Sequence, residues 1–183
     1  MNMIEMSVTA IALDRVSGEP IVVLNDQSHL KALPIWIGAA EARAISFAVK
    51  KVRTQRPLTH DLLFQTIKQL GHSIKEVLID GTIENVFRAT IVLSSDRDGS
   101  AVELDARPSD AIALSLIAGA RVLVSDDLVI DANKIIDPEL EDEKAEANAR
   151  DEFRKFVQNL KASDFTFGAP VELPEDESGP ADE

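Results

Sequence analysis

Residues 104–116 read LDARPSDAIALSL, and within that stretch the apolar spacing changes from an extended pattern to a helical one. A strand that passes directly into a helix limits the chain to architectures that mix the two. The junction also concentrates charge. Asp105 and Asp110 flank Arg107, Pro108 and Ser109, so two carboxylates and a guanidinium share one helix start. Such a start can aim acidic and basic groups at one point, as a phosphate- or metal-handling site requires; it is equally how an ordinary strand hands over to an ordinary helix.

The rest of the chain supplies the other layers. Residues 5–13 alternate loosely and 20–24 are β-branched and apolar, with Ser17-Gly18 as the turn of a hairpin. A third strand fits 30–37. Gly38 breaks it, and Ala42, Ile45, Ala48, Val49 and Val52 then fall on one helical face over 39–52. A second helix follows Thr59, with Leu62, Leu63, Ile67 and Leu70 apolar, Thr59 as the expected cap, Asp61 at the positive end of the dipole and Gly71 as the stop. Strands are predicted over 74–80, 85–93 and 101–105, with a turn at Asp96-Arg97-Asp98-Gly99. A helix over 109–118, capped by Ser109 and ended by Gly119, precedes a short strand over 121–124. The sum is an α+β fold, a mixed and largely antiparallel sheet covered by a few helices.

Composition narrows the chemistry. With no cysteine, disulfides, thiolate zinc sites and a cysteine nucleophile are excluded. No run of eighteen apolar residues and no basic segment leading into an apolar one occurs, so neither a membrane span nor a secretory or transit signal is expected, and the cytoplasm is the expected location. The net charge is −13, unevenly spread: residues 1–137 carry −4 and residues 138–183 carry −9. A polyanionic ligand would therefore need a local basic patch. The chain has no tyrosine and a single tryptophan, Trp36, which argues against base stacking along a single strand.

Four ordered segments, ALDRVSGEPIVVL (12–24), LPIWIGAAEARAI (33–45), RPLTHDLL (56–63) and LDARPSDAIALSL (104–116), resemble the bifunctional nuclease domain family over roughly residues 5 to 130. FRKFVQNLKASDF (153–165) is similar to the ending of many bacterial members. The resemblance implies a nuclease that hydrolyses phosphodiester bonds in both RNA and DNA. Such hydrolysis is expected to use a divalent cation, Mg²⁺ or Mn²⁺, which activates water and offsets charge at phosphorus.

The candidate catalytic residues are His60, Asp105, Arg107 and Asp110, and the candidate metal ligands are Glu41, Asp105 and Asp110. His60 is the one histidine inside a matching segment, and Asp61 beside it could orient it or share a cation, although neighbours at a helix start point different ways. Arg107 and Arg56 each precede a helix, where a cation opposes the dipole and ought to be held by a carboxylate or a phosphate. Local cap chemistry is sufficient for Thr59, Ser109 and Pro108. Glu41 is electrostatically comfortable in a first turn, and Asp14 beside Arg15 suits a surface ion pair. Lys50, Lys51, Arg53 and Arg56 form the one basic stretch of the body, suited to neutralising a helix C-terminus or to receiving a phosphate backbone.

Three regions are expected: a nuclease-like domain over 1–137, a charged linker and amphipathic Phe-rich helix over 138–168, and a disordered acidic tail over 169–183. Phe153, Phe156, Val157 and Leu160 fall at i, i+3, i+4 and i+7, with Phe165 and Phe167 beyond. Burying such rings is worth about 1.5–3 kcal/mol each, so this helix should dock on its own body or on a partner subunit, and a homo-oligomer, a dimer first, is expected. The alternative function is a non-catalytic interaction or regulatory module that oligomerises through this tail helix and binds a protein or small anion near Arg107. A small-molecule hydrolase using the same carboxylates ranks last.

Overall fold

The computed structural model describes residues 2–14, 17–83 and 86–134. The expectations for the tail, its linker, Phe-rich helix and disordered end, lie outside the described residues, as does Arg15. The described chain runs β1 (Met3–Leu13), β2 (Pro20–Asp26), β3 (Lys31–Trp36), α1 (Ala39–Val49), α2 (Thr59–Gln69), β4 (His72–Ile83), β5 (Val86–Ser95), β6 (Ala101–Ala106), α3 (Pro108–Ala118), β7 (Arg121–Ser125) and β8 (Ile130–Asp131). The α+β reading holds: among the described residues one mixed eight-stranded sheet is ordered β6-β5-β4-β7-β1-β2-β3-β8. No described helix is long and apolar enough to cross a membrane.

Two antiparallel meanders build this sheet, β1-β2-β3 and β4-β5-β6, each from neighbours in sequence. β7 joins them, antiparallel to β1 and parallel to β4. A parallel partner needs a crossover, and α3 provides it between β6 and β7. One face of the sheet packs with the helices into a single apolar cluster that includes Val22, Leu24, Leu33, Ile35, Val77, Ile79, Ile91 and Val124 from strands and Ile45, Ile67, Ile112 and Leu114 from the helices.

The helices differ in how they are buried. Pro108, Ser109, Ala111, Ile112, Ala113, Leu114 and Ser115 of α3 are all buried, so this helix lies between α1 and α2 as well as over the sheet, which is why its sequence is apolar or small all round. Ser115 Oγ, buried with it, donates to the carbonyl of Ile112 at 2.8 Å. Gly119 ends the helix at φ 71°, a left-handed turn that a side chain would strain.

Two expected caps are corrected. The N-cap of α2 is Leu58, with Thr59 as first helical residue, and the N-cap of α3 is Arg107, with Ser109 one residue inside Pro108. Proline's fixed φ suits the first helical position, so α3 starts at Pro108 and puts Arg107 at its head. In α2 the Leu58 N–H donates to Asp61 Oδ2 at 3.1 Å, so an acid three residues in replaces the expected hydroxyl. The two-residue strand β8 is too short to have a readable pattern.

Candidate functional site

The three α-helices among the described residues share a device: an acid at the third helical position. It is Glu41 after N-cap Gly38, Asp61 after Leu58 and Asp110 after Arg107. A carboxylate in a first turn is favoured by the helix dipole and by unpaired N–H groups. Asp61 turns back on its own cap. Glu41 turns to Arg107 at the head of α3 and Asp110 to Arg107 and to His60 of α2, so the first turns of α1, α2 and α3 meet there.

The meeting point is Arg107. Its Nε donates to Asp110 Oδ2 at 2.8 Å and its Nη2 to Asp110 Oδ1 at 3.3 Å. Nη1 lies 2.9 Å from Glu41 Oε1. The carboxylate partners anticipated for a cation at a helix head are thus present, one from the same helix and one from α1. His60, at the second helical position of α2, places Nε2 2.9 Å from Asp110 Oδ1. Asp110 therefore carries the guanidinium on one side and the imidazole on the other.

Exposure separates the members. The Arg107 side chain is 66% exposed, whereas Glu41 is 19% and His60 18% exposed. Three of the five guanidinium N–H groups are engaged by the two carboxylates. Burial works to raise the Asp110 carboxyl, but hydrogen bonds from Arg107 and His60 and the attraction of their charges outweigh it, and the group sits below its usual range. The hydrogen bond to Asp110, then its charge, raises Arg107 further, so the guanidinium is permanently cationic.

Of the expected site residues, the structure brings together Glu41, His60, Arg107 and Asp110. Asp105 does not join them. In the β5–β6 ladder Ala106 pairs with Ala89 and Leu104 with Ile91, both strand partners belonging to the core face beneath α3. Strand alternation then turns Asp105, paired with Thr90, to the opposite face, where it is exposed. Asp14 accepts from the Ser17 N–H at 3.0 Å and from Trp36 Nε1 at 2.9 Å, one contact within its turn and one to β3.

The metal expectation meets a specific obstacle. Glu41 and Asp110 converge, but on a guanidinium that already stands where a divalent cation would, and the third carboxylate is on the far face. No three His, Asp or Glu side chains among the described residues gather as a metal site. This donor set does not fit a carboxylate-held Mg²⁺ or Mn²⁺.

Lys50, Lys51, Arg53 and Arg56 are all exposed in the segment from α1 to α2, and none of the four makes a salt bridge among the described residues. Lys50 lies nine residues along α1 from Glu41, about 14 Å at 1.5 Å per residue, and the segment returns to His60 at the head of α2. The basic stretch thus leads up to the cluster.

One contributor escaped the sequence reading. A Cβ built on Gly38 would lie 2.3 Å from Glu41 Oε2, so the glycine gives the Glu41 carboxylate room to lie back over the start of α1. A glycine three residues before a glutamate at a helix start was the available signal.

Comparison with known proteins bears on this arrangement. Residues 22–137 match the bifunctional nuclease domain. The chain belongs to that family. It is also similar to two proteins of Mycobacterium tuberculosis, Uncharacterized protein MT1877 of strain CDC 1551 / Oshkosh and Uncharacterized protein Rv1829 of strain ATCC 25618 / H37Rv. Each is 35% identical over 164 residues, covering 88% of this chain and 97% of the relative. The matched domain contains all four residues of the cluster and the basic segment before His60.

Proposed function

We propose that this protein is a nuclease that hydrolyses phosphodiester bonds of RNA and DNA in the cytoplasm, with His60 as general base and Arg107 as the phosphate-receiving group. The observation that carries the reading is the double engagement of Asp110, which fixes an imidazole and an exposed guanidinium on one carboxylate. With Nε2–H donating to Asp110, Nδ1 keeps its lone pair. That nitrogen takes a proton from water as the water oxygen attacks phosphorus; the P–O bond to the leaving group breaks, and the leaving oxygen takes a proton from solvent. Arg107 receives the non-bridging oxygens and offsets their charge. Water as nucleophile needs no 2′-hydroxyl, which suits a shared action on RNA and DNA.

Lys50, Lys51, Arg53 and Arg56 extend the binding path. A span of about 14 Å corresponds to roughly four base-pair steps along a duplex axis at about 3.4 Å each. In this reading the phosphates on one side of the cut lie along the segment between α1 and α2.

The test is cleavage of single- and double-stranded RNA and DNA by purified full-length protein, with Mg²⁺, Mn²⁺ or EDTA, beside His60→Ala, Arg107→Ala and Asp105→Ala. His60→Ala is expected to lower the rate by about 10²–10⁴-fold, with Arg107→Ala also strongly impaired and Asp105→Ala unchanged. Cleavage that survives both of the first two substitutions assigns the activity elsewhere. A second reading, a non-catalytic module that pairs with a copy of itself, is favoured by Leu62 and Leu63 on α2 and Leu70 at its C-cap, exposed at 58%, 43% and 70%. A stable dimer that Leu62→Lys dissociates, in a chain that cleaves nothing, selects that reading.

A further inference from the structure

Two carboxylates already engage the one guanidinium, Asp110 on one edge and Glu41 on the other. A phosphate added on top would put three anions on one cation. We infer that phosphate instead enters by exchange: the Glu41 carboxylate occupies the anion seat on Arg107 and leaves it when a phosphate group binds. The inference rests on the reading of Arg107 as the phosphate-receiving group.

The contacts separate the two carboxylates by duty. Asp110 takes the Nε–Nη2 edge of the guanidinium and also holds His60, so removing it would dismantle the pairing of base and cation. Among the described residues Glu41 forms an ion pair with Arg107 alone, through Nη1 at 2.9 Å. Its departure disturbs nothing else in the cluster.

The seat itself is fit for an anion. Glu41 Oε2 lies against Gly38, closer than any Cβ there would allow, so the carboxylate rests over the first turn of α1. The early N–H groups of that turn have no partner within the helix. Carboxylate and phosphate ask for the same donors, a planar guanidinium and backbone N–H groups, so each can replace the other at this point. When Glu41 swings out, a phosphate gains both Nη1 and the head of α1, and the anion count round Arg107 does not rise.

Exchange also makes the site selective. A weak or singly bonded anion has to compete with a carboxylate tethered three residues from Gly38. A phosphodiester whose neighbouring phosphates are held by Lys50, Lys51, Arg53 or Arg56 has extra contacts with which to displace it.

Calorimetric titration of inorganic phosphate into the full chain at fixed ionic strength tests the exchange without turnover. Glu41→Gln should tighten phosphate binding about tenfold, the scale expected for removing one nearby like charge. Gly38→Ala should tighten it too, since the added methyl expels the carboxylate while keeping its charge in the chain; Arg107→Gln should abolish it. Phosphate affinity equal to or weaker than wild type in Glu41→Gln overturns the inference and makes Glu41 a group that positions Arg107. A tightened Glu41→Gln variant in a chain that cleaves neither RNA nor DNA upholds the exchange and removes only the catalytic reading.

Discussion

Asp110→Asn is the most informative single substitution for the energetics of the cluster. Asparagine keeps the shape and loses the charge. Two contributions go with it: the ion pair with Arg107, which at the partly exposed side chains seen here is worth about 0.2–1 kcal/mol, and the favourable placement of an anion in the first turn of α3, worth about 0.3–1 kcal/mol. Exposure of Arg107 puts both towards their lower halves, so the loss should be about 1 kcal/mol, equivalent to a fall of roughly 3–4 °C in Tm for a domain of this size. Acid supplies the diagnostic. The folded Asp110 carboxyl titrates below its unfolded value, so in acid the unfolded chain binds more protons and stability rises with pH across the interval between the two values. The contribution is whole above the unfolded value of about 3.9 and is lost as pH falls through the lower folded value. Wild type and Asp110→Asn, followed by thermal unfolding in circular dichroism, should differ at pH 7 and converge in strong acid. Equal Tm values at pH 7, or a gap that persists in strong acid, would refute the assignment of this charge as the organiser of the cluster.

Further substitutions probe the frame and the path. Ile112→Ala, at a fully buried position where α3 faces the sheet and its two neighbouring helices, should cost about 2–5 kcal/mol in chemical denaturation; a cost below that would mean that α3 is not central to the core. Gly119→Ala, at φ 71°, should cost about 1 kcal/mol by the same measurement. Replacing Lys50, Lys51, Arg53 and Arg56 together by alanine should weaken binding to any duplex sequence evenly and lower the slope of log affinity against log salt by up to about 4; an unchanged slope would remove this segment from the binding path. Asp105→Asn, on the far face of β6, should leave cleavage and phosphate affinity unaltered.

The local elements were legible because their signals are local. The alternation in β1 and β2, the helical spacing in α1 and α2, and glycines such as Gly71 and Gly119 mark beginnings and ends within a few residues. Strand order was not legible. The placing of β7 between β4 and β1 depends on apolar residues far apart in sequence, and each strand alone reads the same wherever it sits. For the site, the cation at the head of α3 did announce a need for partners, but three helices carry an acid at the same position. Only the packing decides that Asp61 caps its own helix while Asp110 reaches across to a histidine fifty residues away. Asp105 is the instructive case: it stands two residues from Arg107, yet the apolar Leu104 and Ala106 on either side already implied that the strand would turn it to the other face.

In the proposed mechanism His60, fixed by Asp110, presents a free ring nitrogen to a phosphodiester held by Arg107. Nitrogen-15 NMR of the imidazole measures this directly, in the protein alone and with a cleavage-resistant phosphorothioate dinucleotide. The expected result is a proton on Nε2, a lone pair on Nδ1, and an Nδ1 signal that shifts on ligand addition in wild type but not in Arg107→Gln. A proton resident on Nδ1 in the neutral ring, or an imidazole indifferent to the dinucleotide, contradicts it.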